Sequence, residues 1–399
     1  MSTTNEVWIL SAVRTAIGSF GGSLKGFKPA ELGTLVAQEA IARAGVSASD
    51  IESCIVGKVI HNGPEDAYLA RVVGIDSGLP ISSHAVTVNR LCGSGLEAII
   101  QAAQQIQLGD VSIALAGGTE SMSNAAFTLP SHRWGQRMGD SQVIDELTAT
   151  LHDPWQHFHM GITAENMAEK YAVSREQQDS YTVESHRRAI AAITAGHFKE
   201  QILPINIKAR HGNTLFETDE HPRAETTLEN LATLKPYFKK EGTVTAATSS
   251  GINDGAAMVV LMNANDAKAK HLKPLGRLVG YARAGVDPNV MGTGPIPAVQ
   301  MVMDKTGLSV EQMDTIESNE AFAVQAMCVA TELGFPATKV NPNGGAVALG
   351  HPVGATGAIL TTKCLYELQR IKGRYGLVTM CIGGGQGIAA IYERITDFQ

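Results

Sequence analysis

Long apolar runs are missing from this sequence. No stretch approaches the roughly 20 residues that cross a bilayer, and Val7-Trp8-Ile9-Leu10, behind Glu6, is too short and too acidic for a signal or transit peptide. Neither a membrane nor an export route is expected. Cysteine is scarce: Cys54, Cys92, Cys328, Cys364 and Cys381 form an odd set with no CxxC pair, which argues against a disulfide framework and for a reducing cytoplasm. The last four residues, Thr396 to Gln399, match no address signal. Aromatics are only 5%, no dense Lys/Arg tract occurs, and the formal charge is −7, so nucleic acid is excluded as an expected partner.

What is present is a globular chain of 399 residues, 44% hydrophobic, 18% charged and holding 41 glycines. That length suits two domains, and the abundance of small residues suits tight helix-on-sheet layers. Short apolar runs at Val7–Ser11, Ser53–Val59, Val86–Asn89 and Ile113–Gly117 read as buried strands, with helical periodicity at Pro29–Ala44 and Gly95–Leu108 between them. The pattern returns with strands at Pro274–Tyr281, Thr315–Asn319 and Leu377–Cys381, and helices at Ile296–Thr306, Ala321–Leu333 and Ala355–Arg370. The order predicts an α/β fold.

The two stretches also echo each other. Ser53–Gly57 corresponds to Thr315–Asn319; Val88-Asn89 followed by Cys92 corresponds to Val340-Asn341 followed by His351; Leu115–Gly118 corresponds to Cys381–Gly384. Their shared order implies two homologous α/β halves. Between them lies a polar, His- and Thr-rich insertion, roughly Ser121 to Gly251, broken by five prolines and expected to form a lid or substrate platform. One helix stands out there: Ser174 can cap it, Gln177 can close the capping box, and Gly196 can stop it.

Four segments could carry chemistry. In Leu91-Cys92-Gly93-Ser94-Gly95, glycines permit a sharp strand-to-helix turn, so Cys92 would sit at a helix N-terminus that favours its thiolate. The alternative is a cysteine used as a small hydrophobe. Asn343 to Gly354 is a glycine-rich loop with one histidine, His351, at the repeat position of Cys92, which makes a Cys/His pair plausible across the two halves. Cys381-Ile382-Gly383 ends a strand; its thiol could act as acid or base, and the Gly383 N–H could serve an oxyanion. Asn319, in Ser318-Asn319-Glu320-Ala321-Phe322, could cap the following helix or aim its amide at a reacting carbonyl. His152, His157 and His159 lack helical metal-ligand spacing, so no metal is expected. The Cys381 glycine run lacks the strand–GxGxxG–helix setting of a dinucleotide site.

Together, Cys92 in NRLCGSG, Asn319 in NEAF, His351 in GHP and Cys381 in CIGGG resemble the thiolases, in particular biosynthetic acetyl-CoA acetyltransferases and short-chain β-ketothiolases. The similarity spans Val7 to Arg394, with further matches at Ser11–Gly22, His159–Asn166 and Ser250–Ala257. The resemblance implies a thiolase fold: two halves in a five-layered αβαβα core, with an N-terminal half over 1–121 completed by about 252–272, a loop domain over 122–251 covering coenzyme A, and a C-terminal half over 273–399. It implies Cys92 as acylated nucleophile, His351 as its base, and Cys381 as the acid/base at the α-carbon. Asn319, through a water, and His351 would form one oxyanion hole; the Cys92 and Gly383 N–H groups would form the other. His159, Met160, Arg223, Ala246, Ser250, Ala321 and Phe322 match coenzyme A and pantetheine contacts.

The expected reaction is a ping-pong condensation of acetyl-CoA to acetoacetyl-CoA or another short 3-ketoacyl-CoA, reversible as thiolysis, with coenzyme A thioesters as substrates and no permanently bound cofactor. Ser131–Gly139 resembles a tetramerisation loop, so a homotetramer is expected. His152-Asp153-Pro154-Trp155 resembles the broader short-chain β-ketothiolases, and Thr245–Gly251 departs from the family's TAGNASG, with Ala247 for glycine and Thr248 for asparagine. A degradative 3-ketoacyl-CoA thiolase, a decarboxylating ketoacyl synthase and a non-catalytic acyl-CoA carrier are the competing readings. Cys381 argues against the synthase, and the joint presence of Cys92, His351 and Cys381 argues against the carrier.

Overall fold

The computed structural model describes residues 5–209 and 212–396, so Asp397-Phe398-Gln399 lie outside it. The N-terminal half opens with β1 (Val7–Arg14), buried at every residue. A strand covered on both faces has no solvent side and so reads as a continuous apolar run. Helix α1 (Pro29–Ala44) starts on a proline, whose missing N–H costs nothing there, and ends at Gly45 with φ 68°. There follow β2 (Ser53–Gly57), α2 (Leu69–Asp76), β3 (His84–Val88), α3 (Ser94–Leu108) and β4 (Ile113–Ser121). The apolar positions Leu96, Ile99, Ile100, Ala103 and Ile106 of α3 are all buried.

The insertion then contributes α4 (Gly161–Lys170) and α5 (Arg175–Thr194). Helix α5 begins as its sequence dictates: the Ser174 hydroxyl accepts the Gln177 N–H and the Gln177 side chain accepts the Ser174 N–H at 2.8 Å. Gly196 takes φ 75° just beyond its end. The chain returns as β5 (Asn253–Asn263) and enters the C-terminal half: β6 (Gly276–Gly285), α6 (Pro295–Thr306), β7 (Met313–Ser318), α7 (Ala323–Glu332), α8 (Thr356–Ile371), β8 (Tyr375–Ile382) and β9 (Gln386–Glu393).

Strand order in the first half is β3-β2-β4-β5-β1, with β3, β2 and β4 parallel and β5 antiparallel to both neighbours. The second half runs β7-β8-β9-β6 with the same directions, and Val340 bridges Ile316 in parallel where a third strand stands in the first half. The halves meet edge to edge through Trp8–Arg277 and Ile9–Gly276, which makes one continuous sheet. Helices α1 and α2 cover the first half, α6 and α7 the second, and α3 and α8 pack together between them. This is the five-layered αβαβα arrangement.

The strand register corrects one expected correspondence. Cys54 pairs with Leu115 and the equivalent Ile316 pairs with Leu377, so Leu115 matches Leu377, not Cys381. The glycine pairs in the two strings suggested a register four residues out. Strands β5 and β9 carry no strand expectation either. Gly255, Ala256 and Ala257 dilute the β-branched signature of the first, and Gly387, Ala389 and Ala390 that of the second.

Candidate active site

The turn after β3 is sharp because Leu91 adopts φ 47°, a left-handed conformation that a residue with a Cβ holds only when its surroundings enforce it. Here the Asn89 side chain accepts the Leu91 N–H at 2.9 Å, and the Ser94 hydroxyl donates to the Leu91 carbonyl at 2.7 Å. Cys92 follows, half-buried, immediately before α3. Its own N–H and that of Gly383 lie against the sulfur and favour thiolate, but burial outweighs them and, with Glu120, pushes the Cys92 thiol up. Cys92 therefore rests as a thiol, although the helix N-terminus by itself favours the thiolate.

His351 stands in the loop before α8. Gly350 before it takes φ 105°, and a Cβ there would lie 2.4 Å from the Asn253 side chain. That same side chain accepts the His351 N–H at 2.9 Å and fixes the start of the loop. Nδ1 of the ring sits 2.6 Å from the Thr356 hydroxyl, which itself donates to the Pro352 carbonyl at 2.9 Å. Thr356 thus has only a lone pair to offer, so Nδ1 carries the ring proton and Nε2 is left to accept. Burial depresses the His351 pKa to about 4, which keeps the imidazole neutral.

Asn319 Nδ2 lies 3.5 Å from His351 Nε2. Asn319 does not cap the next helix; Phe322 occupies that position. Its N–H instead donates to the Thr379 carbonyl at 2.9 Å, and its buried Oδ1 has no protein partner among the described residues. Cys381, fully buried near the end of β8, packs in one cluster with Met160, Met291, Ala321 and Phe322. Burial first, and the neighbouring Cys92 second, push its thiol far up. Gly383 follows at the turn into β9.

A cavity of about 470 Å³ joins these parts. Cys92, His351 and Gly383 line it together with His159, Met160, Ala246, Ser250, Ala321 and Phe322. Cys381 and Asn319 lie behind this wall. Arg223 is not in it; it lines an adjoining cavity of about 350 Å³ that shares Ala246 and Ser249 and also holds Ala247. A larger groove of about 860 Å³ between α5 and α7 contains none of these residues. Thr248 in the departing segment closes its own turn, accepting the Thr245 N–H at 2.9 Å.

Sequence reasoning missed several wall residues. Phe238 stacks on His159 at 4.7 Å and meets Phe322 edge-on at 6.0 Å, while Val59, Leu91, Met122, Leu147 and Val353 form apolar walls around Cys92. The adjacent aromatics Tyr237-Phe238 in an otherwise polar insertion were the available signal. Burial lowers the His159 pKa to about 4, and His152 meets its ring edge-on at 5.3 Å. Among the described residues no group of three or more His, Cys, Asp or Glu is placed to hold a metal.

Comparison with known proteins decides the family. Residues 7–265 match the model of the thiolase N-terminal domain, and residues 272–394 that of the thiolase C-terminal domain. The chain belongs to the thiolase family. This thiolase is 56% identical to the beta-ketothiolase BktB of Cupriavidus necator over 98% of its own length and 100% of the relative's. It is 48% identical to an acetyl-CoA acetyltransferase of Pseudomonas aeruginosa, covering 98% and 99% of the two chains. Among solved structures, a human mitochondrial 3-ketoacyl-CoA thiolase in complex with CoA superimposes with a TM-score of 0.95 at 41% identity, covering 98% of each chain.

Proposed function

We propose that this thiolase is a short-chain acetyl-CoA C-acetyltransferase, or β-ketothiolase, working in two half-reactions. The observation that carries the reading is that the Cys92 sulfur, the neutral His351 ring and the Gly383 N–H open into one apolar-walled cavity with Cys381 directly behind it.

In the first half-reaction His351 Nε2 takes the Cys92 proton. The thiolate attacks the thioester carbonyl of acetyl-CoA, and coenzyme A leaves as a thiol with that proton. The Cys92 and Gly383 N–H groups, already against the sulfur, face the oxygen that becomes negative. In the second, Cys381 gives its proton to the freed His351 Nε2 and, as thiolate, removes an α-proton from another acetyl-CoA, and the carbanion attacks acetyl-Cys92. Acetoacetyl-CoA forms, the released Cys92 thiolate takes its proton from His351 Nε2, and the α-proton stays on Cys381 as the thiol. Asn319 Nδ2 and the Nε2–H of His351, protonated by Cys381, stabilise the enolate oxygen. Each well-placed donor supplies roughly 3 kcal/mol in related acyl transfers. Cys381 is a weak acid in a dry site, so its thiolate, once formed, is strongly basic. A thioester acyl-enzyme keeps the acyl group reactive between the steps.

The insertion over 122–251 serves as the loop domain over coenzyme A. His159, Met160, Ala246, Ser250, Ala321 and Phe322 guide the pantetheine arm, and Arg223 in the adjoining cavity meets the nucleotide end. A homotetramer is supported by β3, an edge strand open on one side, and by Trp134 and Met138 in the segment 131–139, which are 87% and 90% exposed. Five unpaired cysteines, two of them at the site, support a reducing cytoplasm.

Coenzyme A-dependent cleavage of acetoacetyl-CoA, compared with 3-ketovaleryl-CoA and a 3-keto C8–C10 thioester, tests the reading. Cleavage confined to the two short substrates is expected. Dominant cleavage of the long one would move the protein to a degradative 3-ketoacyl-CoA thiolase. No cleavage at all would return the synthase and carrier readings.

A further inference from the structure

Glu320 follows Asn319 directly and is buried, 1% exposed. Its carboxylate accepts four hydrogen bonds: from the Tyr181 hydroxyl at 2.9 Å, the Ser185 hydroxyl at 2.8 Å, Asn341 Nδ2 at 2.9 Å and the Val347 N–H at 3.1 Å. Among the described residues no lysine, arginine or histidine pairs with it. A buried carboxylate held only by neutral donors is costly unless every oxygen is well satisfied, so the arrangement calls for a reason beyond packing.

The origin of the four donors supplies that reason. Tyr181 and Ser185 stand one turn apart on α5 of the insertion. Asn341 clasps the strand end that carries Asn319: its Oδ1 accepts the Ser318 N–H at 2.9 Å, and its Nδ2 donates to the Ser318 carbonyl at 2.8 Å. Val347 lies in the short helical turn Ala346–Leu349, which leads through Gly350 into His351. Gly345, which opens that turn, sits so close that a Cβ there would lie 2.0 Å from the Glu320 carboxyl carbon, and its N–H donates to the Ser185 hydroxyl at 3.2 Å. One carboxylate therefore touches the Asn319 loop, the His351 loop and the helix of the insertion.

We propose that Glu320 is a positioning residue that sets the spacing of Asn319 and His351, and that α5 holds it in place through Tyr181 and Ser185. The insertion thereby does more than cover substrate. It braces, from the side away from the cavity, the pair that receives enolate charge. This rests on the roles of Asn319 and His351 given above.

The experiment compares Tyr181→Phe and Glu320→Gln with the full-length parent protein. It follows kcat and KM for acetoacetyl-CoA cleavage and, by intact mass, the rate at which acetyl-CoA acylates Cys92. Tyr181→Phe removes one donor at constant shape, so kcat should fall about tenfold with KM within about twofold. Glu320→Gln turns N–H groups toward existing donors and should lower kcat by about a hundredfold. In both variants acylation of Cys92 should be slowed less than complete turnover, because the second oxyanion hole is untouched. Unchanged kcat in both variants would overturn the proposal. So would equal slowing of acylation and turnover, or a loss carried by KM. If Glu320→Gln does not fold, Tyr181→Phe and Ser185→Ala are read by the same criteria. A parent enzyme that cleaves no 3-ketoacyl-CoA would refute the proposed function instead, which keeps the two failures apart.

Discussion

The two halves of this molecule share a strand scaffold yet carry opposite equipment at equivalent points. After the third strand position the first half places a cysteine, Cys92, and the second half a histidine, His351. Between the fourth and fifth strands the first half inserts residues 122–252, whereas the second half turns in residues 383–385. The short turn presents the Gly383 N–H to the Cys92 sulfur; the long insertion roofs the cavity and reaches back to Glu320. Duplication supplies two facing sets of loop ends, and equivalent positions at those ends carry the cysteine and the histidine proposed above as nucleophile and base.

The comparison breaks most sharply at the nucleophile. Cys92→Ser should cut turnover at least about a thousandfold, because a buried neutral imidazole deprotonates an alcohol poorly. Near-normal acetoacetyl-CoA cleavage would remove Cys92 from the mechanism. On the other half, Cys381→Ala should still become acetylated at Cys92, visible by intact mass, while condensation fails. A variant that condensed normally would show that the α-proton goes elsewhere.

A smaller effect is expected at Thr356→Val, which removes the partner of His351 Nδ1. With the ring tautomer no longer fixed, kcat should fall about tenfold, read by steady-state cleavage. Smallest is an effect that should be missing. Because burial holds the His351 pKa at about 4, kcat/KM for the free enzyme should show no acid break near the ordinary histidine value. A break near pH 6.5 would place His351 in a wetter site than the one described.

The same low value has a stability consequence. The folded state binds fewer protons than the unfolded chain between pH 6.5 and about 4, so His351, and with it His159, His186 and His221, favours folding above pH 6.5 and loses that contribution as pH falls. Thermal unfolding midpoints should drop on acidification through that window. A midpoint that held steady from pH 7 to pH 4.5 would contradict the burial of these rings.

Much of the fold was legible because its signals are local. The bounds of α1 match its apolar spacing, proline start and glycine stop, and α5 starts where its capping box reads. The strands richest in small residues, β5 and β9, were not legible, since glycine and alanine carry little strand signal without their neighbours. Of the site, Cys92, His351, Cys381 and Gly383 were legible from their turns. Phe238, Leu147 and Thr356 were not, because each acts through a partner far away in the chain or hidden by helix periodicity.

By itself the sequence determined the α/β alternation, the duplication and the residue types of the site, since these follow from hydrophobic period, glycine placement and motif. Tertiary structure alone decided the protonation states: Cys92 as thiol, His351 neutral on Nε2, Cys381 strongly basic when ionised. The reason is physical. A pKa depends on how much water surrounds a group and which dipoles face it, and both are properties of the assembled site rather than of neighbours along the chain.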